Sequence, residues 1–178
     1  MEQDIETILL TQEQIQQRVR ELGEQITRDY QDKDPIIVGI LRGCFIFMAD
    51  LVRATPIPCT LEFLAVSSYG QGTTSGEVCL TRDFPMPIEG RHVLILEDIL
   101  DSGRTLDYVV RLLRQRGPAS VEICTFLDKP DRRKVDIRAK YIGYQVPDAF
   151  VVGYGLDYAD KYRNLPYIGI LKPEIYNS

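Results

Sequence analysis

A chain of 178 residues, 44% hydrophobic and 26% charged, has the size and make-up of one soluble globular domain, able to bury roughly 70% of its unfolded surface. A net charge of −5 argues against nonspecific nucleic-acid binding. No run approaches the roughly 20 apolar residues that a bilayer demands, and the start MEQDIETILL lacks the basic and apolar regions of a signal peptide, so a cytoplasmic setting without membrane partners is expected. Cys44, Cys59, Cys79 and Cys124 show no metal-like spacing and read as reduced thiols. With His92 the single histidine, a histidine-rich metal site is excluded; His92 itself reads as a strand-edge surface group.

In chain order, Thr11 followed by Gln14 fits a capping box, and Ile15, Val19 and Leu22 recur at helical spacing, which predicts a surface helix over 12–30. Asp34-Pro35 breaks it, and Ile36 to Leu41 is a compact apolar strand. Gly43 and an apolar helix over 45–53 follow. Residues 59–66 read as a strand. The stretch 67–76, rich in Gly, Ser and Thr, supplies no core face, and composition leaves a surface linker and an active-site lid equally open. It lies between the strand-like Leu61–Val66 and Glu77–Thr81, as in a hairpin-like excursion. Val93 to Leu96 form a short buried strand with Glu97 and Asp98 at its carboxyl end. The turn Asp101-Ser102-Gly103-Arg104-Thr105 then opens an apolar-periodic helix. Residues 120–127 and 139–144 are further strand candidates, and Arg132-Arg133-Lys134 reads as a solvated basic face. Strands alternating with helices predict an α/β fold with a mostly parallel, doubly wound sheet flanked by helices.

The densest chemistry lies in Val93–Thr105. Ligands of open α/β sheets bind beyond the carboxyl ends of the strands, and a loop entering a helix N-terminus offers free N–H groups to anions. Asp, Ser and Gly in such a turn are also ordinary helix caps. The adjacent Glu97-Asp98 pair tips the reading toward a ligand, because neighbouring carboxylates repel unless something positive or hydrogen-bonding lies between them. A ribose diol with Mg²⁺ meets that need, since Mg²⁺ prefers one or two carboxylates, waters and ligand oxygens. The layout suits a ribose 5-phosphate.

The segment VLILEDILDSGRT resembles the phosphoribosyl-diphosphate signature of the type I phosphoribosyltransferases. Leu41-Arg42-Gly43 resembles that family's diphosphate loop, and Ser67-Ser68-Tyr69-Gly70 its lid. Asp128-Lys129-Pro130, Phe150–Tyr158 and Tyr162-Arg163 resemble the purine-binding half of its 6-oxopurine branch. The resemblance implies one domain over 1–178, with a small hood and a flexible lid loop at about 67–80 that includes Ser68 and Tyr69. It implies transfer of a phosphoribosyl group from phosphoribosyl diphosphate to N9 of hypoxanthine or guanine, with Mg²⁺, in a homodimer or homotetramer and with no nucleic-acid partner.

The implied roles follow residue by residue. Ser102, Gly103, Arg104 (where the family often has lysine) and Thr105 seat the 5-phosphate. Glu97 and Asp98 take the ribose hydroxyls and the metal. Asp101 meets N7 of the purine as general base or acid. Arg42 and Gly43, in a loop associated with a non-proline cis peptide, and Arg163 hold diphosphate. Lys129, a donor only, favours a 6-oxo over a 6-amino purine. Phe150, otherwise a plain core residue, stacks on the base, and Val151 and Asp157 contact its edge. An RNA-binding attenuator with the same fold, or a sibling transferase for xanthine or a pyrimidine, are the competing readings. The acidic net charge and the Lys129 and Phe150–Asp157 segments disfavour the first.

Overall fold

Two short-range signals launch the chain, and both hold in three dimensions. The computed structural model describes residues 1–69 and 77–177, without the side chains of 68, 69 and 77. Gln14 N–H donates to Thr11 Oγ1 at 3.2 Å and Thr11 N–H to Gln14 Oε1 at 2.8 Å, which closes the capping box. After β1 (Ile5–Leu10) this box starts α1 (Gln12–Tyr30), whose Ile15, Val19, Leu22, Ile26 and Tyr30 form one buried stripe. Next come β2 (Ile36–Leu41), α2 (Phe45–Arg53), β3 (Thr60–Tyr69) and β4 (Glu77–Arg82). Then follow β5 (His92–Leu100), α3 (Arg104–Arg114), β6 (Ser120–Asp128) and β7 (Tyr141–Gln145). The chain ends through β8 (Val151–Val152), β9 (Ile168–Leu171) and the single turn α4 (Pro173–Tyr176).

The larger sheet has the order β4-β3-β2-β5-β6-β7. All its pairs are parallel except β3–β4, the predicted hairpin excursion. Period-two alternation divides its apolar residues between two layers. Ile37, Leu94, Leu96 and Phe126 pack with α1 and α2 on one face. Val38, Ile40, Val93 and Ile95 pack with Leu106, Val109, Val110 and Leu113 of α3 on the other. His92 is half-buried, with Nδ1 2.7 Å from Ser120 Oγ on the neighbouring strand, so it is tied across the ladder rather than lying free at the edge. The thiols of Cys44, Cys59, Cys79 and Cys124 are all free.

Two expectations change. The central strand is not a four-residue piece ending at Leu96: β5 runs to Leu100, because its pairing with β6 continues to Leu100↔Asp128. Glu97 and Asp98 therefore sit within a strand. The lid stretch is shorter than 67–80, since 67–69 and 77–80 belong to paired strands, with Ser67 opposite Cys79. Residues 70–76 and the side chains of Ser68 and Tyr69 lie outside the described residues. A second, antiparallel sheet of order β1-β9-β8, built from both ends of the chain, forms the small hood; its strands of two to six residues carry too little periodicity to be read locally. Among the described residues, no helix is long and apolar enough to cross a membrane.

Candidate active site

β2 leads through α2 to β3 on one side, and β5 leads through α3 to β6 on the other. The order of the sheet thus reverses between β2 and β5, where a crevice opens. The two strands pair only as far as Gly39↔Leu96, while β2 continues with β3 to Leu41↔Ala65. Beyond that point lies a cavity of about 250 Å³ lined by Leu41, Glu97, Asp98, Asp101, Ser102, Gly103 and Thr105.

Glu97 is buried. Burial first, and then the adjacent Asp98 charge, push its carboxyl well above the usual carboxylate range. Burial also raises Asp98, against its hydrogen bonds with Glu97 and Ile99 N–H and the weaker pull of Arg163. Asp98 Oδ1 accepts from Ile99 N–H at 2.9 Å, and its carboxylate lies tight against the loop after β2. A Cβ on Gly43 would stand 1.8 Å from Asp98 Oδ2, so only glycine lets that loop come so close. Two adjacent carboxylates, both raised by burial, with the Asp98 charge raising Glu97 further, are a donor set fitted to a cation. Among the described residues no cluster of three or more His, Cys, Asp or Glu completes a metal cage; a cation on the Glu97-Asp98 pair would fit the Mg²⁺ preference for one or two carboxylates with other oxygen ligands.

The turn after β5 reaches α3 through Gly103 at φ +83°, a left-handed backbone that glycine adopts without strain. Ser102 Oγ accepts from Arg104 N–H at 3.4 Å. Arg104 is exposed and does not line the cavity, unlike Ser102, Gly103 and Thr105. Asp101 stands where this cavity meets a second one of about 390 Å³ and lines both. Arg132 Nε lies 2.9 Å from Asp101 Oδ1 in an ion-pair contact without hydrogen-bond alignment, and that buried oxygen accepts no hydrogen bond.

Lys129, Phe150, Val151 and Asp157 meet in this second cavity, with Ile99 and Leu156 as apolar walls. Lys129 is only 6% exposed and donates to Ala149 O at 2.6 Å; burial draws its ammonium below the ordinary lysine value. Phe150 is 37% exposed, not core, and stacks on Tyr176 with centroids 4.9 Å apart. Asp157 is more engaged than expected: Oδ1 is 2.8 Å from Arg163 Nη2, and Oδ2 accepts from Asp160 N–H at 2.9 Å.

Arg42 and Arg163 line a third cavity of about 560 Å³ with Arg82, Phe45 and Asp160. Arg42 Nη2 is 2.9 Å from Asp160 Oδ1, and Arg163 Nη2 is 3.9 Å from the same oxygen, so one aspartate brings the two guanidinium groups together. The Leu41–Arg42 peptide is cis. The basic triplet departs from expectation. Arg132 bridges Asp101 and Asp148, and Arg133 is 18% exposed and reaches behind the turn. Ile99, Asp148, Tyr176 and Arg82 also line these cavities and were not singled out in the sequence, and Arg132, read there as part of a solvated basic face, lines the second. Of these only Ile99, between the acid pair and Asp101, carried a positional signal.

The sequence profile of the phosphoribosyl transferase domain matches residues 7–159. The chain belongs to the phosphoribosyl transferase family. It is 53% identical to the hypoxanthine-guanine phosphoribosyltransferase of Bacillus subtilis (strain 168), over 100% of this chain and 99% of that protein. It is 51% identical to the bifunctional protein TilS/HprT of Listeria monocytogenes serotype 4b, over 99% of this chain but 28% of that longer protein. In three dimensions it superposes on a crystal structure of a hypoxanthine phosphoribosyltransferase from Staphylococcus aureus with a TM-score of 0.97, at 52% identity over 100% of this chain and 97% of that one.

Proposed function

We propose that this chain is a cytoplasmic, Mg²⁺-dependent enzyme of purine salvage that transfers the 5-phosphoribosyl group of phosphoribosyl diphosphate to N9 of hypoxanthine or guanine, giving IMP or GMP and diphosphate. One observation carries the mechanism: Asp101 lines both the acid-lined crevice and the Lys129 cavity, its carboxylate held at that junction by an ion pair with Arg132.

The 5-phosphate sits in the turn Ser102–Thr105, against open N–H groups and the start of α3, whose dipole contributes about 0.3–1 kcal/mol in exposed settings. Glu97 and Asp98 hold the ribose hydroxyls. Mg²⁺ on this pair, direct or through water, supplies charge neutralisation for the diphosphate. Arg42 and Arg163 take the diphosphate itself, exchanging Asp160 for the stronger anion.

Rupture of the anomeric bond develops oxocarbenium character, as in glycoside chemistry, while N9 attacks from the second cavity. Asp101 accepts the N7 proton as the new bond forms. Lys129 donates to the 6-oxo group, and an ammonium placed there meets no acceptor on a 6-amino purine. Phe150 and Ile99 are the stacking walls, and Val151 and Asp157 present the base edge with backbone acceptors and donors. The end of the β3–β4 hairpin, where Ser68 and Tyr69 close β3, serves to exclude water that would hydrolyse the donor.

A spectrophotometric assay of hypoxanthine, guanine, xanthine and uracil with donor and Mg²⁺ tests the reading. Turnover with hypoxanthine or guanine is expected. Turnover with uracil alone, or tight RNA binding without turnover, would overturn it.

A further inference from the structure

Residues 129–137 pass behind the phosphate turn as a strap, and one side chain in it has no part in the chemistry above. Arg133 Nη1 donates to Asp101 O at 2.6 Å and to Leu100 O at 3.2 Å. Its Nη2 is paired in close contact with Asp128 Oδ1. Arg133 is 18% exposed and Asp128 6%, so the pair is largely out of water. The strap adds two backbone donors, Lys134 N–H to Ser102 O and Lys129 N–H to Leu100 O, each at 2.9 Å. Three successive carbonyls, those of Leu100, Asp101 and Ser102, are therefore all held from behind.

A trans peptide is planar, and its C=O and N–H point in opposite directions. Fixing the Asp101 and Ser102 carbonyls against the strap thus turns the N–H groups of Ser102 and Gly103 the other way. Neither N–H finds an acceptor among the described residues, and both residues line the crevice. The strap also presses on the turn at Gly103, where a Cβ would come within 2.6 Å of Ile137 Cγ2 and 3.1 Å of Arg133 Cδ. A planar guanidinium can address a carboxylate with one nitrogen and carbonyls with another, whereas an ammonium cannot span the same set.

We propose that Arg133, anchored by Asp128, is a positioning residue for the donor's 5-phosphate: it clamps the turn from behind so that the Ser102 and Gly103 N–H groups face the anion. The proposal rests on the reading of this turn as the phosphate seat. It also separates Arg133 from a group that merely neutralises Asp128, because the clamp acts on the phosphate and not on the base.

The test compares the affinities of IMP and inosine for the intact enzyme by calorimetry, since the two ligands differ only in the 5-phosphate. Arg133→Lys keeps the positive charge beside Asp128 and removes the fork. It is expected to weaken IMP about tenfold or more, to leave inosine unchanged, and to raise KM for the donor with little change in KM for hypoxanthine. Asp128→Asn keeps the carbonyl clamp and removes the buried charge pair; it is expected to retain most of the preference for IMP. Unchanged IMP binding in Arg133→Lys, or equal loss of IMP and inosine, would each overturn the proposal. Wild-type enzyme that binds IMP no better than inosine would instead overturn the phosphate-seat reading, and the clamp with it.

Discussion

Asp101 and Glu97 lie in the same short segment, yet their surroundings give them different work. Asp101 lines both cavities and pairs with Arg132 at 2.9 Å, where its carboxylate faces the proposed base site. Asp101→Asn preserves the shape of the turn and removes the basic oxygen, so kcat is expected to fall by about 10²–10⁴-fold while donor affinity stays near wild type. Steady-state kinetics and donor titration check this, and equal turnover would remove the assigned role. Glu97 is held well above the usual carboxylate range by burial and the Asp98 charge. From the ordinary value of 4.5 up to its raised folded value, the native state keeps a proton that the unfolded chain has released, so stability falls as pH rises through that window. Glu97→Gln is expected to flatten this slope and to raise the melting temperature at pH 7 in metal-free buffer. Urea melts across this pH range measure the slope and a thermal melt at pH 7 the melting temperature; a variant with the wild-type slope would assign the pH dependence to another group.

At the scale of elements, local and distant signals part company. α1, β2 and α2 have the bounds Gln12–Tyr30, Ile36–Leu41 and Phe45–Arg53, as the sequence predicts, because a capping box, a Pro break and apolar periods all act within a few residues. Their packing meets at Phe126 of β6, whose ring lies 5.0 Å from Phe47, 5.2 Å from Tyr154 and 5.9 Å from Tyr144. This ring joins the sheet to α2, to β7 and to the segment after β8. Phe126→Ala leaves a void that none of these neighbours can fill alone. It is expected to cost about 3–5 kcal/mol, read as a lower urea midpoint at unchanged slope. A loss below about 1 kcal/mol would mean that the site collapses around the void. Arg133 shows the opposite case. Three consecutive basic residues read as solvated, and the burial of one of them arises because the strap crosses behind a turn more than thirty residues earlier.

Across the whole molecule, the two ends of the chain pair into a sheet that braces the walls of the second cavity. β1 pairs with β9 from Ile5↔Leu171 to Leu10↔Ile168. β9 in turn pairs with β8, and Leu171 N–H donates to Phe150 O at 2.9 Å. The hood thereby holds Phe150 and Val151 opposite Lys129. Removing residues 1–10 strips one partner from β9, and the expected result is a loss on the order of 10²-fold in kcat/KM for hypoxanthine, from misplacement of the base walls, with a smaller change in KM for the donor. Equal losses for both substrates would mean that the hood supports the fold in general and not this cavity.

The alternation that makes a mostly parallel sheet could be read directly from the chain, since strand, turn and helix signals act over a few positions, and the candidate residues for sugar, phosphate and base came from its resemblance to a family's motifs. The assembly of those residues could not be read in either way. That Asp160 joins Arg42 to Arg163, that Asp157 is occupied by Arg163, that β5 continues past the acid pair and that the two termini share a sheet all depend on contacts between segments far apart in the chain. Such contacts form through burial and hydrogen-bond satisfaction across the folded core, and no short window of residues contains both partners.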